Sequence, residues 1–75
     1  MIRESKVTFK QVGRDFVDVH CQTRDDNGPW QAQGVIPLMG TVEQAMADWI
    51  ANQERWGWTP YDIEEQDTVT FWKEL

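Results

Sequence analysis

The sequence predicts an α+β domain in which an antiparallel sheet, in the order β-β-β-α-β-β, packs on one amphipathic helix. Three observations predict it. Several short segments alternate apolar and polar residues at period two, the mark of half-buried strands. One segment alone carries an apolar stripe at helical spacing. The breaks between them are short and filled with Gly, Pro, Asn and Asp, which suits antiparallel neighbours. Nothing divides the 75 residues, so they read as a single domain, 1–75.

The first strand runs from Lys6 to Val12, with Val7 and Phe9 on one face and Thr8 and Lys10 on the other. Gly13, Arg14 and Asp15 turn the chain into a second strand, Phe16 to Thr23. There Val17, Val19 and Cys21 share one face, and Phe16, Asp18, His20 and Gln22 the other. Arg24-Asp25-Asp26-Asn27-Gly28-Pro29 is the strongest turn signal, with Asn-Gly expected to supply the positive φ. A third strand follows from Trp30 to about Leu38. Alternation puts Trp30, Ala32 and Ile36 on one side and Gln31, Gln33 and Val35 on the other. Gly34 inside it suggests a bulge, and Pro37 an edge.

Thr41 and Gln44 have capping-box spacing at the start of the helix, and Gly57 is a natural left-handed stop. Between them Val42, Ala45, Met46, Trp49, Ile50 and Trp56 form the stripe expected to face the core. Beyond it, Tyr61 and Ile63 alternate with Asp62 and Glu64, Glu65-Gln66-Asp67 reads as a turn, and Thr68 to Lys73 alternates again. The two last segments form either a terminal hairpin or a single bent strand, and the hairpin is the expectation.

The inventory excludes much chemistry. One cysteine permits no internal disulfide, and one histidine permits no Cys/His metal cluster, so the expectation is no metal and no cofactor. His20 and Cys21 are neighbours on a strand and point to opposite faces, which rules out a thiolate–imidazolium pair. Carboxylates are plentiful, but a glycosidase-type pair needs a water-excluding cleft that so short a chain rarely builds. Asp25-Asp26-Asn27-Gly28 is too short for an EF-hand loop and reads as a solvated turn. No phosphate-binding Gly-rich loop precedes the helix. The sequence therefore predicts a protein that is not an enzyme.

Thirteen acidic residues against seven basic give a formal charge of −6. Direct nucleic-acid binding needs clustered Lys and Arg and is not expected; a protein partner with a basic surface is. No signal peptide and no apolar run long enough for a membrane span are read, which predicts a cytoplasmic protein without membrane contact. Five tryptophans exceed what the helix stripe uses. Trp58, Tyr61 and Trp72 are the surplus; together with Asp25, Asp26, Asp62, Glu64, Glu65 and Asp67 they are the candidate partner-binding residues. Trp72 has the opposite parity to Val69 and Phe71, and Phe16 likewise falls on the outer face.

A short acidic reading frame beginning at Met1, with these acids and aromatics and no catalytic inventory, resembles the small proteins that phages and other mobile elements direct against host machinery, anti-CRISPR proteins among them. The resemblance is to a class and rests on no motif. It implies stoichiometric inhibition in the host cytoplasm, with carboxylates meeting basic side chains in a groove that otherwise holds nucleic acid. The other reading is a structural or accessory module that forms a homodimer through its outer aromatic face.

Overall fold

The computed structural model describes residues 1–64 and 67–75, with only the backbone of Glu64. It contains β1 (Ile2–Val12), β2 (Phe16–Asp25), β3 (Gln31–Met39), α1 (Val42–Arg55), β4 (Thr59–Glu64) and β5 (Thr68–Glu74). All pairings are antiparallel, and the sheet order is β3-β2-β1-β5-β4. The α+β order and the closing hairpin match the sequence expectation. Residues Glu65 and Gln66 of the expected turn lie outside the described residues; Asp67 is a turn residue.

The order places β1 at the centre and β3 and β4 at opposite edges. Helix α1 connects those two edges, so it has to cross the sheet. A 14-residue helix is about 21 Å long and about 10 Å wide, against about 19 Å from the first to the fifth strand axis. One helix therefore covers only part of one face. The buried core lies beneath it: Val7 and Phe9 from β1, Val17 and Val19 from β2, Val69 and Phe71 from β5, and Ala45 from α1. Val42, Met46, Trp49, Ile50, Leu38, Cys21 and Trp58 pack around this cluster. Trp49 meets Phe9 edge to face, with ring centroids 6.0 Å apart.

Both helix ends are fixed by the residues that predicted them. Thr41 is the N-cap; its hydroxyl accepts from the Gln44 N–H at 3.2 Å. The reciprocal half of the capping box is absent, because the Gln44 amide donates to Asp48 Oδ1 instead, at 3.0 Å. Gln11 takes over that work. Its Oε1 accepts from the Val42 N–H at 3.2 Å, while its Nε2 donates to the Phe16 carbonyl at 2.9 Å and lies 3.3 Å from the Gly40 carbonyl. One side chain thus ties the β1–β2 turn to the start of α1.

At the other end, the Gly57 N–H donates to the Glu54 carbonyl and the Trp58 N–H to the Gln53 carbonyl, a Schellman motif around Gly57 at φ +90°. Lys73 adds a bond from Nζ to the Trp56 carbonyl at 2.9 Å, a cation placed on the negative helix end. This reversal corrects the helix stripe. Trp56 sits at the C-cap, where the helical period has ended, and is 68% exposed. Trp58, two residues on, turns back onto the core in its place.

Two bulges correct the strand faces. Cys21 pairs with Gly34 but Gln22 with Ala32, so Gln33 is the extra residue in β3. It shifts the alternation by one: Ala32, Val35, Pro37 and Met39 lie opposite Gln22, His20, Asp18 and Phe16, on the face away from the helix. Ile36 and Leu38 turn towards it, not with Ala32 as alternation predicts. In β4 the shift falls between Pro60 and Asp62, which makes Tyr61 the extra residue and separates it from Ile63. The turn after β2 is a third correction. Positive φ values belong to Asp26 and Asn27, not Gly28, whose role is close packing: a Cβ there would lie 3.0 Å from the Asp25 carbonyl oxygen.

Candidate protein-binding surface

Among the described residues, no helix or strand covers the sheet face opposite α1. The strand registers arrange its side chains in rows, and the two ends of the face differ in kind.

At one end, Glu4 of β1 stands between Arg24 of β2 and Trp72 of β5. Its side chain is 8% exposed, although this is the outer face. Arg24 Nε donates to Glu4 Oε1 at 2.8 Å and a second guanidinium nitrogen to Oε2 at 3.1 Å. The Tyr61 hydroxyl donates to the same Oε2, reaching across β5 from the bulge in β4. Trp30 closes the other side: the Arg24 guanidinium lies 4.4 Å from its ring centroid and Lys6 Nζ 4.7 Å. Both sheet edges are thereby fastened to the central strand.

The bond from Arg24 holds the Glu4 carboxyl below its ordinary range, against the opposing effect of burial. The Tyr61 hydroxyl is pushed up to about 12 by burial and by the adjacent Glu4 carboxylate. Half of Tyr61 is exposed, but its hydroxyl rests on a buried group. A depressed carboxyl stabilises the fold above its unfolded value and stops doing so as pH falls through the folded one. Melting temperature is expected to hold steady down to about pH 5 and to drop below about pH 4. A Glu4→Gln variant should be less stable at neutral pH and show a shallower acid limb; an unchanged limb would contradict the assignment. On the alkaline side, Tyr61 withdraws its contribution between about pH 10 and about pH 12.

The other end of the face carries exposed apolar side chains in one whole row and along β3, with polar ones between them. Val12, Phe16 and Met39 form one row across β1, β2 and β3. Lys10, Asp18 and Pro37 form the next, and Thr8, His20 and Val35 the third. Phe16 is 51% exposed and Met39 79%, and Val12 and Val35 are also exposed. Met39 continues round the β3 edge into a groove of about 530 Å³ between β3 and α1. Leu38, Ala45 and Trp49 line that groove with Gln44, Asp48 and Arg55. The indole Nε1 of Trp49 is buried and has no hydrogen-bond partner among the described residues.

The residues singled out from the sequence do not converge on one place. Asp25 pairs with Arg3 at 2.8 Å, and Asp26 Oδ1 accepts from the Ile2 N–H at 2.9 Å, so both fasten the turn to the start of β1. Trp58 is half-buried against the core, with Lys73 over its ring at 5.9 Å. Tyr61 belongs to the Glu4 cluster. Asp62 is exposed on the β4 edge, and Asp67 accepts from the Thr68 hydroxyl at 3.2 Å and, through its carbonyl, from the Phe9 N–H. Glu64 ends β4, and Glu65 lies outside the described residues. Trp72 is 37% exposed beside Glu4. It shares its face with Phe16 but stands eight β1 residues away along the register, about 27 Å. Val12, Val35 and Met39 escaped the sequence reading. The signal for the last two was present in Gly34, whose bulge moves them to the Phe16 side.

Cys21 lies on the helix side, where burial pushes its thiol up, and His20 lies exposed on the other face. Among the described residues, no group of three or more His, Cys, Asp or Glu side chains is placed to hold a metal ion. No described helix is long and apolar enough to cross a membrane.

Fold and surface together define a small α+β sheet-and-helix domain with one face left open. No family model, curated protein or solved structure matches the chain.

Proposed function

We propose that the chain is a non-enzymatic protein-binding inhibitor or modulator. It docks on a larger, basic, nucleic-acid-handling protein, such as a CRISPR-Cas effector in a phage-infected cell. The observation that supports this reading is an uncovered sheet face with exposed Phe16, Val35 and Met39 on a chain of net charge −6. Aromatic and Met side chains are the types that anchor protein interfaces. Four of the seven cations are engaged within the chain: Arg3 on Asp25, Arg24 on Glu4, Lys6 over Trp30 and Lys73 on the helix end. The surplus carboxylates therefore dominate what a partner meets, which favours a basic one.

The exposed Val12–Phe16–Met39 row also offers a surface to a second copy, and self-association is the alternative reading. The test is capture from a host lysate on immobilised protein at low and at moderate ionic strength. A basic nucleic-acid-handling protein is expected at low salt and is expected to leave as salt rises. No such protein at low salt would contradict the proposal.

A further inference from the structure

Resting on that reading, we infer that the docking site is the apolar end of the open face, running from Phe16 over Met39 into the α1–β3 groove, and that its occupant is a basic protein surface presenting an apolar side chain. The Glu4 end is already committed. Its aromatic groups, Trp30 and Tyr61, are held by Arg24, Lys6 and Glu4, and freeing them would strip these contacts from the part-buried Arg24–Glu4 pair. The Phe16 end has no such engagement. Its apolar side chains are exposed in adjoining rows, and the groove beside Met39 offers about 530 Å³, room for a large side chain.

Docking is through the face and not through strand addition. Each free edge carries a proline and a bulge, Pro37 with the shift at Gly34 on β3 and Pro60 with the shift at Tyr61 on β4. Such edges are poor templates for another strand. The surface is also fixed before a partner arrives. Gln11 binds the β1–β2 turn to α1, and the Gly40 N–H donates to the Asp15 carbonyl at 2.7 Å, so Phe16 and Met39 need little ordering.

The net charge of the whole chain selects the occupant. At this end Asp15, Asp18 and Asp48 are matched by Arg14, Lys10 and Arg55, so the acidic excess belongs to the chain as a whole. A second copy would bring two chains of charge −6 together. A basic surface meets no such repulsion.

The experiment is a titration of isotope-labelled protein, at low salt, with an amphipathic Leu/Lys peptide, and in parallel with polylysine. The Leu/Lys peptide is expected to give saturable amide shifts at Phe16, Val35 and Met39 and in the first turns of α1. Polylysine should bind roughly tenfold or more weakly. Phe16→Asp, and independently Met39→Asp, should each weaken the Leu/Lys peptide by about tenfold or more with an unchanged far-ultraviolet spectrum. Shifts confined to Tyr61, Asp62 and Asp67 would overturn this location and leave the basic-partner reading standing. No saturable shifts would overturn the site, and the basic-partner reading would fail separately only if low-salt capture were also empty. Shifts at Phe16 on concentrating the protein without peptide would name a second copy as occupant and overturn both.

Discussion

Phe9→Ala is expected to remove about 3–5 kcal/mol of folding stability. Phe9 is the largest fully buried side chain of the central strand, with Val19 of β2 on one side, Asp67 just before β5 on the other and Trp49 of the helix above. Its neighbours Val19 and Val17 sit on sheet backbone held by ladders on both sides and cannot collapse into the space left behind. The edge-to-face contact with Trp49 is lost as well, about 0.5–1.5 kcal/mol beyond the area term. A 75-residue domain has roughly 4–11 kcal/mol in all. The variant should therefore be largely unfolded or lie close to its midpoint at 25 °C. Urea unfolding followed by tryptophan fluorescence measures this, and a loss under about 1.5 kcal/mol would show that the sheet–helix core is not where the stability resides.

The second large effect belongs to Glu4. Glu4→Ala leaves the Arg24 guanidinium and the Tyr61 hydroxyl without their acceptor under a cover of aromatic rings. Removing one partner of a fully buried pair costs about 3–5 kcal/mol. Arg24 keeps 25% of its side chain exposed and can be rehydrated, so about 2–3 kcal/mol is expected here. The pair itself contributes less than that loss, because both charges were desolvated to form it. A cycle of Glu4→Ala, Arg24→Ala and the double variant should accordingly be non-additive, the double variant being milder than the sum. Strict additivity would mean that the two side chains do not act as a unit.

These two residues show how far the sequence could be read. Phe9 was legible from alternation alone, as were Val7, Val17, Val19, Val69 and Phe71, because a period-two pattern survives wherever the ladder is regular. Thr41 and Gly57 marked the helix because their chemistry is local. Glu4 was not legible. A single carboxylate near the start of a chain looks like any solvated acid until a register places Arg24 opposite and a bulge turns Tyr61 towards it.

The errors have the same origin. Gln33 and Tyr61 are each one residue too many for their ladders, and one residue inverts every side chain beyond it. That inversion placed Val35 and Met39 beside Phe16 and separated Tyr61 from Ile63. Trp56 was assigned to the core by extending a 3.6-residue period one step past the helix end, where Gly57 reverses the chain. The candidate site shifted for a further reason. Acids and aromatics near each other in sequence, such as Asp25 and Asp26, or Tyr61, have polar partners within the fold, whereas Phe16 and Met39, far apart in sequence, meet as cross-strand neighbours and stay exposed.

We propose that the open face, at its Phe16 end, is kept free for a partner unlike the chain itself. Sedimentation velocity of the wild-type protein over a concentration series at low salt tests it most directly. A monomer at every concentration is the predicted result, and a dimer that Phe16→Asp disperses would contradict it.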